Sequence, residues 1–215
     1  ALDNVCDEIN RRIETEERII AGGALPPYEI TKERVLGSPL VRQTIADQSL
    51  DHSEKLATQY FREIAARYNI RFIQGCSFVL SYVFNRIYDG IWLDTEGLAK
   101  VVEASRLGPV VFCPSHRSHV DYLVLSYCLW KAGIAPPHIA AGKNLAFFPL
   151  GTIFRGSGAF FLRRSFGSDK LYAAVFRAYV SELLQSGISL EFFLEGTRSR
   201  NGKLLLPKLG LLSMV

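Results

Sequence analysis

Apolar positions recur at helical spacing through the first ninety residues of the chain. Residues 39–70 carry apolar side chains every three or four positions, and residues 71–89 form a more apolar stretch with the same period. Residues 2–20 predict a charged helix, and the Gly/Pro-rich segment AGGALPPYEI follows as a linker. The pattern therefore predicts an N-terminal helical subdomain over residues 1–90.

From about residue 91 the pattern changes to short apolar runs separated by helical segments. The runs IWL, VVFC, HIAAG, AFFLRR and ISLEFFLEG predict strands. Helices are predicted between them, the last over residues 169–185 with Ser168 as its cap. Strands separated by helices of this length imply right-handed crossovers. The predicted fold class is α/β over residues 91–215: a mostly parallel sheet flanked by helices, preceded by the helical subdomain.

The ends of the chain and its cysteines change this picture only slightly. The chain begins without Met and stops within the apolar run LGLLSMV, so we expect a fragment whose α/β domain lacks its C-terminal part. The four cysteines show no zinc-binding spacing, which favours free thiols in a reducing compartment.

Charge is unevenly distributed along the chain. Residues 1–100 hold 12 Lys/Arg against 15 Asp/Glu, whereas residues 101–215 hold 13 against 6. The second half therefore favours an anionic partner such as phosphate, a membrane surface or nucleic acid. No apolar run is long enough to span a bilayer. Residues 72–84 and 145–162 come nearest, and each is either buried core or a surface that lies on a membrane.

Three polar segments follow predicted strand ends: PSHRSHVD, RRSFGSDK and EGTRSRNGK. Active sites of parallel sheets gather outside the carboxyl ends of the strands, so these segments are expected to converge. In the first, His116 precedes Asp121 by five positions, and a histidine oriented by a carboxylate is a general base. Asp121 could instead form a capping box with Ser118. A metal pair of His116 and His119 would lack a third ligand.

The other two segments are rich in arginine. Arg163 and Arg164 end a strand, where consecutive side chains point to opposite faces, so one arginine is expected to face the site. In EGTRSRNGK, guanidinium groups, hydroxyls and loop amides suit a phosphate. Glu195 could order the arginines or bind a substrate hydroxyl. A solvated strand edge and an ordinary basic surface loop remain the alternatives for these two segments.

Taken together, four segments in this order resemble the glycerol-phosphate acyltransferase superfamily. The residues that carry the resemblance are His116 and Asp121 in the H-x4-D form, GAFFLRR at residues 158–164, FLEGTRSR at residues 193–200, and Pro207. The chain looks most like the bacterial glycerol-3-phosphate 1-O-acyltransferases and is also similar to dihydroxyacetone-phosphate acyltransferases. Thr197 stands where bacterial members often have a second glycine, which leaves the acceptor open.

The resemblance implies transfer of a fatty acyl group from acyl-CoA or acyl-carrier protein to the sn-1 hydroxyl of glycerol 3-phosphate, in phospholipid synthesis. No other cofactor and no metal are implied. His116 and Asp121 would be catalytic. Substrate binding would fall to Arg163, Arg164, Glu195, Gly196, Thr197, Arg198, Ser199 and Pro207. The expected location is a membrane surface facing the cytoplasm, at a bacterial inner membrane.

Other functions remain open on the sequence. A lysophosphatidate acyltransferase shares the H-x4-D form, although the extended GAFFLRR and EGTRSRNGK segments disfavour it. A basic nucleic-acid-binding module would explain the charge of the second half, but no signature of one is present and His116 would have no role. An inactive membrane scaffold is disfavoured by the intact His/Asp pair.

Overall fold

The computed structural model describes residues 26–48 and 52–215, together with Cys6. The charged helix predicted over residues 2–20 lies outside the described residues, Cys6 apart. The helices are α1 Tyr28–Gly37, α2 Pro39–Gln48, α3 Ser53–Ile64, α4 Ile70–Ile87, α5 Thr95–Leu107, α6 Asp121–Lys131, α7 Leu150–Gly156 and α8 Lys170–Gln185. The strands are β1 Val111–Phe112, β2 His138–Gly142, β3 Ala159–Leu162 and β4 Leu190–Glu191. Short 3-10 turns cover Lys143–Leu145 and Leu212–Met214.

The four strands form one parallel sheet in the order β1-β4-β2-β3. The predicted α/β class, with helices preceding a mostly parallel sheet, is confirmed. Right-handed crossovers in this order place α6 and α7 on one face of the sheet and α8 on the other. Because all strands run the same way, the segments that follow them leave from the same edge of the sheet.

One face of the sheet is densely packed. Helices α1, α2 and α3 contact α8 directly. The apolar side chains of these helices and of β3 and β4 form a single buried cluster, in which Phe61, Phe160, Val175 and Leu190 are no more than 1% exposed. The predicted N-terminal helices thus share their core with the sheet. A domain boundary near residue 90 stays a prediction.

The other face is covered by α4, which contacts α6 and α7. Asn69 caps α4 by accepting a hydrogen bond from the N–H of Arg71. Ile73 and Phe84 are buried, whereas Phe78 and Tyr82 are 79% and 69% exposed. The stretch at residues 72–84 is therefore core on one side only. No helix within the described residues is long and apolar enough to cross a bilayer.

Three local predictions differ from the structure. No strand forms at residues 91–93, where Trp92 is 90% exposed and the chain leads directly to Asp94, the N-cap of α5. The predicted cap Ser168 is wrong: Asp169 caps α8 by accepting from the N–H of Tyr172. Strand β4 spans only Leu190–Glu191 of the predicted run, and Phe192 still donates to the carbonyl of Phe112 before the chain turns at residues 194–195.

Candidate active site

Asp121 organises the segment that follows β1. Its Oδ2 lies 3.2 Å from Nδ1 of His116 and accepts hydrogen bonds from the backbone N–H groups of Arg117 and Ser118, both at 2.7 Å. The Ser118 hydroxyl accepts from the N–H of Val120, so the full capping box does not form. The two interpretations of Asp121 therefore coexist, because one carboxylate both orients the imidazole and satisfies N–H groups at the start of α6.

The Asp121 carboxylate is ionised at neutral pH. Partial burial raises its pKa, but the N–H groups of Ser118 and Arg117 and the His116 ring together hold the pKa below its usual value. An ionised Asp121 keeps the proton of neutral His116 on Nδ1 and leaves the Nε2 lone pair free. The ring of His116 also stacks on Phe193, with ring centroids 3.9 Å apart. Its orientation is thus held from two sides.

Glu195 and Ser199 tie the third polar segment to the backbone of His116. The Glu195 carboxylate accepts from the N–H of His116 at 2.8 Å and from the N–H of Leu205 at 3.0 Å. The N–H of Ser199 donates to the carbonyl of His116 at 2.8 Å. The segments after β1 and β4 are therefore joined into one unit around His116.

These contacts change the roles expected of two residues. Both Glu195 oxygens accept from backbone N–H groups, which together lower the pKa of this carboxyl. Glu195 and Ser199 are buried, and neither borders the cavity described next. Its two oxygens contact backbone N–H groups rather than arginine side chains, so neither predicted role of Glu195, ordering the arginines or binding a substrate hydroxyl, is seen.

A cavity of about 1640 Å³ lies against His116 on the face covered by α4, α6 and α7. It exceeds the roughly 300–1,000 Å³ of a typical small-molecule pocket. Apolar side chains of the three helices line one part of it: Phe72, Ile73, Val79, Leu80, Tyr122, Leu123, Tyr127, Leu150, Ile153 and Phe154. The cavity therefore has room for a long apolar group beside the imidazole.

Basic side chains line the part of the cavity formed by the segments after β3 and β4. Arg164, Arg198 and Lys208 border it together with Thr197 and Gly196. Among all the described residues that border the cavity, none is Asp or Glu. Such a wall attracts an anion, and no carboxylate on it repels the anion. The structure thus brings Arg164 and the 196–198 loop to the same cavity as His116.

Gly196 shapes the loop at this wall. Its φ is +65°, a conformation that side chains rarely adopt, and a Cβ there would lie 3.0 Å from Cδ of Lys208. The backbone N–H of Lys208 donates to the carbonyl of Leu194 at 2.7 Å, which holds the segment after Pro207 against the loop. Pro207 itself is exposed and does not border the cavity.

Arg163 differs from its neighbour Arg164. Its guanidinium is bound in bidentate fashion to Glu63 of α3, at 2.7 and 3.0 Å, and reaches Asp169 at 3.3 Å. Arg163 was predicted to hold substrate, and its side chain does border the cavity, but two carboxylates already occupy its guanidinium. Arg164 is exposed to the cavity.

Sequence reasoning missed three contributors to the site. Lys208 lies in PKLGLL, a segment chosen only for its proline, and Phe193 was treated as part of a strand. The apolar wall of the cavity was missed because its residues come from three helices far apart in the sequence. His119 is exposed and borders the cavity, and no group of three His, Cys, Asp or Glu within the described residues could hold a metal ion.

Glu191 is a buried carboxyl group beneath the site. It is 0% exposed, and neither side-chain oxygen has a hydrogen-bond partner. Burial, with a smaller contribution from the charge of Asp121, raises the pKa of Glu191 to about 8. The group is therefore neutral at pH 7, and its partners in the sheet are Phe112 of β1 and Ile139 of β2.

Comparison with known proteins agrees with this geometry. Residues 96–215 match a family model described as Acyltransferase. The chain is 42% identical over 200 residues to a glycerol-3-phosphate acyltransferase of Histophilus somni, which is 90% of this chain and 24% of that protein. It is 43% identical over 208 residues to one of Pasteurella multocida, covering 93% of this chain and 26% of that protein. The chain thus spans about a quarter of the length of these relatives. Because the family match covers more than half of its residues, and includes His116, Asp121 and the basic wall of the cavity, the chain belongs to the Acyltransferase family.

Proposed function

We propose that the complete protein transfers a fatty acyl group from a thioester, acyl-CoA or acyl-carrier protein, to the sn-1 hydroxyl of glycerol 3-phosphate. The observation that carries this proposal is one cavity bordered by the His116 imidazole, by Arg164, Arg198 and Lys208, and by a long apolar wall. The names of the relatives, glycerol-3-phosphate acyltransferases, support the same acceptor.

His116 acts as the general base on the acceptor. Its Nε2 takes the hydroxyl proton as the oxygen attacks the thioester carbonyl, and the new ester C–O bond forms as the C–S bond breaks. The proton then passes from the imidazolium to the departing thiolate. Asp121 stabilises the imidazolium through Nδ1, as in the His–Asp part of a serine-protease triad, with the substrate alcohol in place of the serine.

The basic wall holds the phosphate of the acceptor. Arg198 and Arg164 can each offer two parallel hydrogen bonds, and Lys208 adds a third positive charge. The Thr197 hydroxyl and the 196–198 amides lie on the same loop. Fixing the phosphate this way presents the sn-1 hydroxyl to His116 and can supply several kcal/mol of barrier lowering, about 7 in favourable intramolecular cases.

The apolar part of the cavity takes the acyl chain of the donor. Helices α4, α6 and α7 leave a wall of aromatic and aliphatic side chains next to His116. Burying each methylene of a chain against such a wall contributes about 0.8 kcal/mol. Binding through the chain, away from the reacting carbonyl, helps to hold the thioester in place.

The same proposal includes attachment to a membrane surface. Phe78 and Tyr82 on α4, Trp92 before α5 and Phe148 before α7 are all at least 69% exposed. Aromatic side chains of this kind favour the interface between water and lipid. Helix α4 also lines the cavity, and Phe148 lies just before α7, which lines it too, so an acyl donor can enter from the lipid side.

An acceptor panel tests the proposal. Glycerol 3-phosphate, dihydroxyacetone phosphate and lysophosphatidate are offered to the complete protein with a labelled acyl thioester, and the acylated products are separated. We expect the highest kcat/KM with glycerol 3-phosphate and its loss in His116→Ala. The variant His52→Ala is the matched control and should keep most of the activity, because His52 is exposed and does not border the cavity. Preference for another acceptor, or a fully active His116→Ala protein, would refute the proposal.

A further inference from the structure

The Arg163 side chain is built into a network of ion pairs rather than left free. Its Nε donates to Oε1 of Glu63 at 2.7 Å and its Nη2 to Oε2 at 3.0 Å. Its Nη1 lies 3.3 Å from Asp169. Lys143, at the end of β2, adds a second cation 3.0 Å from Glu63. Partial burial raises the pKa of Glu63, but Arg163 and Lys143 together hold it below its usual value.

Two tyrosines enclose the guanidinium of Arg163. Its central carbon lies 4.8 Å from the ring centre of Tyr60 and 4.2 Å from that of Tyr172. The Tyr60 hydroxyl donates to Asp169 at 2.6 Å, and the backbone N–H of Arg163 donates to the Tyr172 hydroxyl at 3.2 Å. Cation–π contacts and bidentate pairing together restrict the side chain to one orientation.

The helix that carries Glu63 is itself held in place. Arg155 of α7 donates hydrogen bonds to the carbonyls of Glu63 and Ala65 at the C-terminal end of α3. The N–H groups of Arg67 and Asn69 return hydrogen bonds to the carbonyls of α7 residues, at 2.9 and 2.8 Å. Glu63 therefore offers a rigid attachment point on the N-terminal helices.

We infer that Glu63 and Arg163 are positioning residues for the phosphate of the substrate. Glu63 anchors the segment after β3 to α3 through Arg163, and this anchor holds Arg164, the next residue, towards the cavity. The inference rests on the proposed function, in which Arg164 binds the phosphate. Glu63, a residue of the N-terminal helices, would then help to determine which acceptor binds to the α/β region.

The alternative, in which Arg163 binds phosphate itself, predicts the opposite effect of removing Glu63. If Arg163 were a ligand, Glu63→Gln would free its guanidinium and tighten phosphate binding. If Glu63 is an anchor, the same variant loosens Arg164 and weakens phosphate binding. The sign of one measurement therefore separates the two roles.

The experiment compares Glu63→Gln with Glu182→Gln in the complete protein. Glu182 of α8 forms a 2.9 Å ion pair with Arg34 of α1, so its variant also breaks an Arg–carboxylate pair between a helix of the N-terminal region and α8. Neither partner borders the cavity. Binding of inorganic phosphate and of glycerol 3-phosphate is measured by calorimetry, and KM and kcat by acyl transfer.

For Glu63→Gln we expect both anions to bind roughly tenfold more weakly, the size of one lost charge-assisted hydrogen bond. The KM for glycerol 3-phosphate should rise by a similar factor, with kcat changed much less. Glu182→Gln should change neither. Adding Glu63→Gln to Arg164→Ala should weaken anion binding little further. Glu63 acts on the anion through the Arg164 guanidinium, which Arg164→Ala has already removed.

Tighter or unchanged anion binding in Glu63→Gln would overturn the inference, as would an equal loss in Glu182→Gln. If Glu63→Gln does not fold, Glu63→Asp takes its place, because it shortens the carboxylate arm and loosens the bidentate pair while leaving Arg163 intact, and the same criteria apply to it. Phosphate binding needs no turnover. A protein that shows the expected phosphate effect but acylates no glycerol 3-phosphate would therefore refute the proposed function while leaving the anchor intact.

Discussion

The two faces of the sheet are built in different ways. Helices α1, α2 and α3 close over α8 on one face, where the aromatic and aliphatic core is almost fully buried. On the other face, α4, α6 and α7 leave a cavity of about 1640 Å³ bordered by His116. Dense packing stabilises the fold. Apolar side chains that line an open cavity contribute less to stability, but they leave room for a ligand. The comparison therefore predicts that substitutions on the two faces affect different properties.

The largest effect is expected at Asp121, on the cavity face. Asp121→Asn removes the charge that holds the Nδ1 proton of His116, and kcat should fall on the order of 10³-fold or more. Thermal stability should change little, because the residue is partly exposed at the start of α6. Steady-state kinetics and thermal unfolding check the two parts. A variant that unfolds well below the wild-type temperature would show that this face, too, is primarily structural.

Phe61→Ala tests the packed face. Phe61 is 0% exposed, and its ring contacts those of Tyr28 and Tyr179. The variant should lower the free energy of unfolding by about 3–5 kcal/mol because it leaves a cavity in a dense core. At a temperature where the variant is folded, the KM for glycerol 3-phosphate should stay near the wild-type value. Denaturant unfolding measures the first quantity. A loss below about 1 kcal/mol would contradict dense packing.

Glu191 is the third test, and its effect depends on pH. Since its pKa in the folded protein is about 8, above the value of 4.5 for an unperturbed carboxyl, the folded state holds the proton between these values. Stability from this group is present at low pH and declines as pH rises from 4.5 to 8, by about 1.4 kcal/mol per pH unit. Glu191→Gln should flatten this decline in a series of unfolding curves. An equally steep decline in the variant would assign it to another group.

The smallest overall effect is expected from Leu123→Ala in the wall of the cavity. Leu123 lies on α6 and is only partly buried, so its truncation should cost about 1 kcal/mol or less, below the range for core leucines. The preference among acyl donors should instead move towards longer or bulkier chains. Competition between thioesters of different chain length measures the shift. A stability loss as large as that of Phe61→Ala would remove the distinction between the two faces.

The fold could be predicted where periodicity and local chemistry decide the structure. Apolar runs bounded by proline or glycine located β1, β2 and β3, and helical spacing located α4 and α8. Prediction was wrong where the local structure depends on residues that are neighbours in space. The run at residues 91–93 has strand composition but no strand beside it, and Asp169 rather than Ser168 caps α8. Both errors concern short segments whose structure depends on what lies beside them in space.

The candidate site was predictable in its chemistry and less so in its division of roles. His116, Asp121, Arg164 and Arg198 stand out by residue type at the ends of strands. Arg163 could not be separated from Arg164 by sequence, because its partner Glu63 lies 100 positions earlier in the chain. The apolar wall was hidden for the same reason, since no single helix shows which of its faces is left uncovered.

The strand order has a consequence for the synthesis of the protein. In the described sheet β1 pairs only with β4, which follows β2 and β3 in the chain, although β2 and β3 can pair with each other earlier. The segment bearing His116 therefore has no sheet to extend from until residues 190–191 have left the ribosome. A nascent chain that stops before this point carries His116 after a strand that has no partner in the described sheet, so the site cannot assemble until β4 is inserted between β1 and β2.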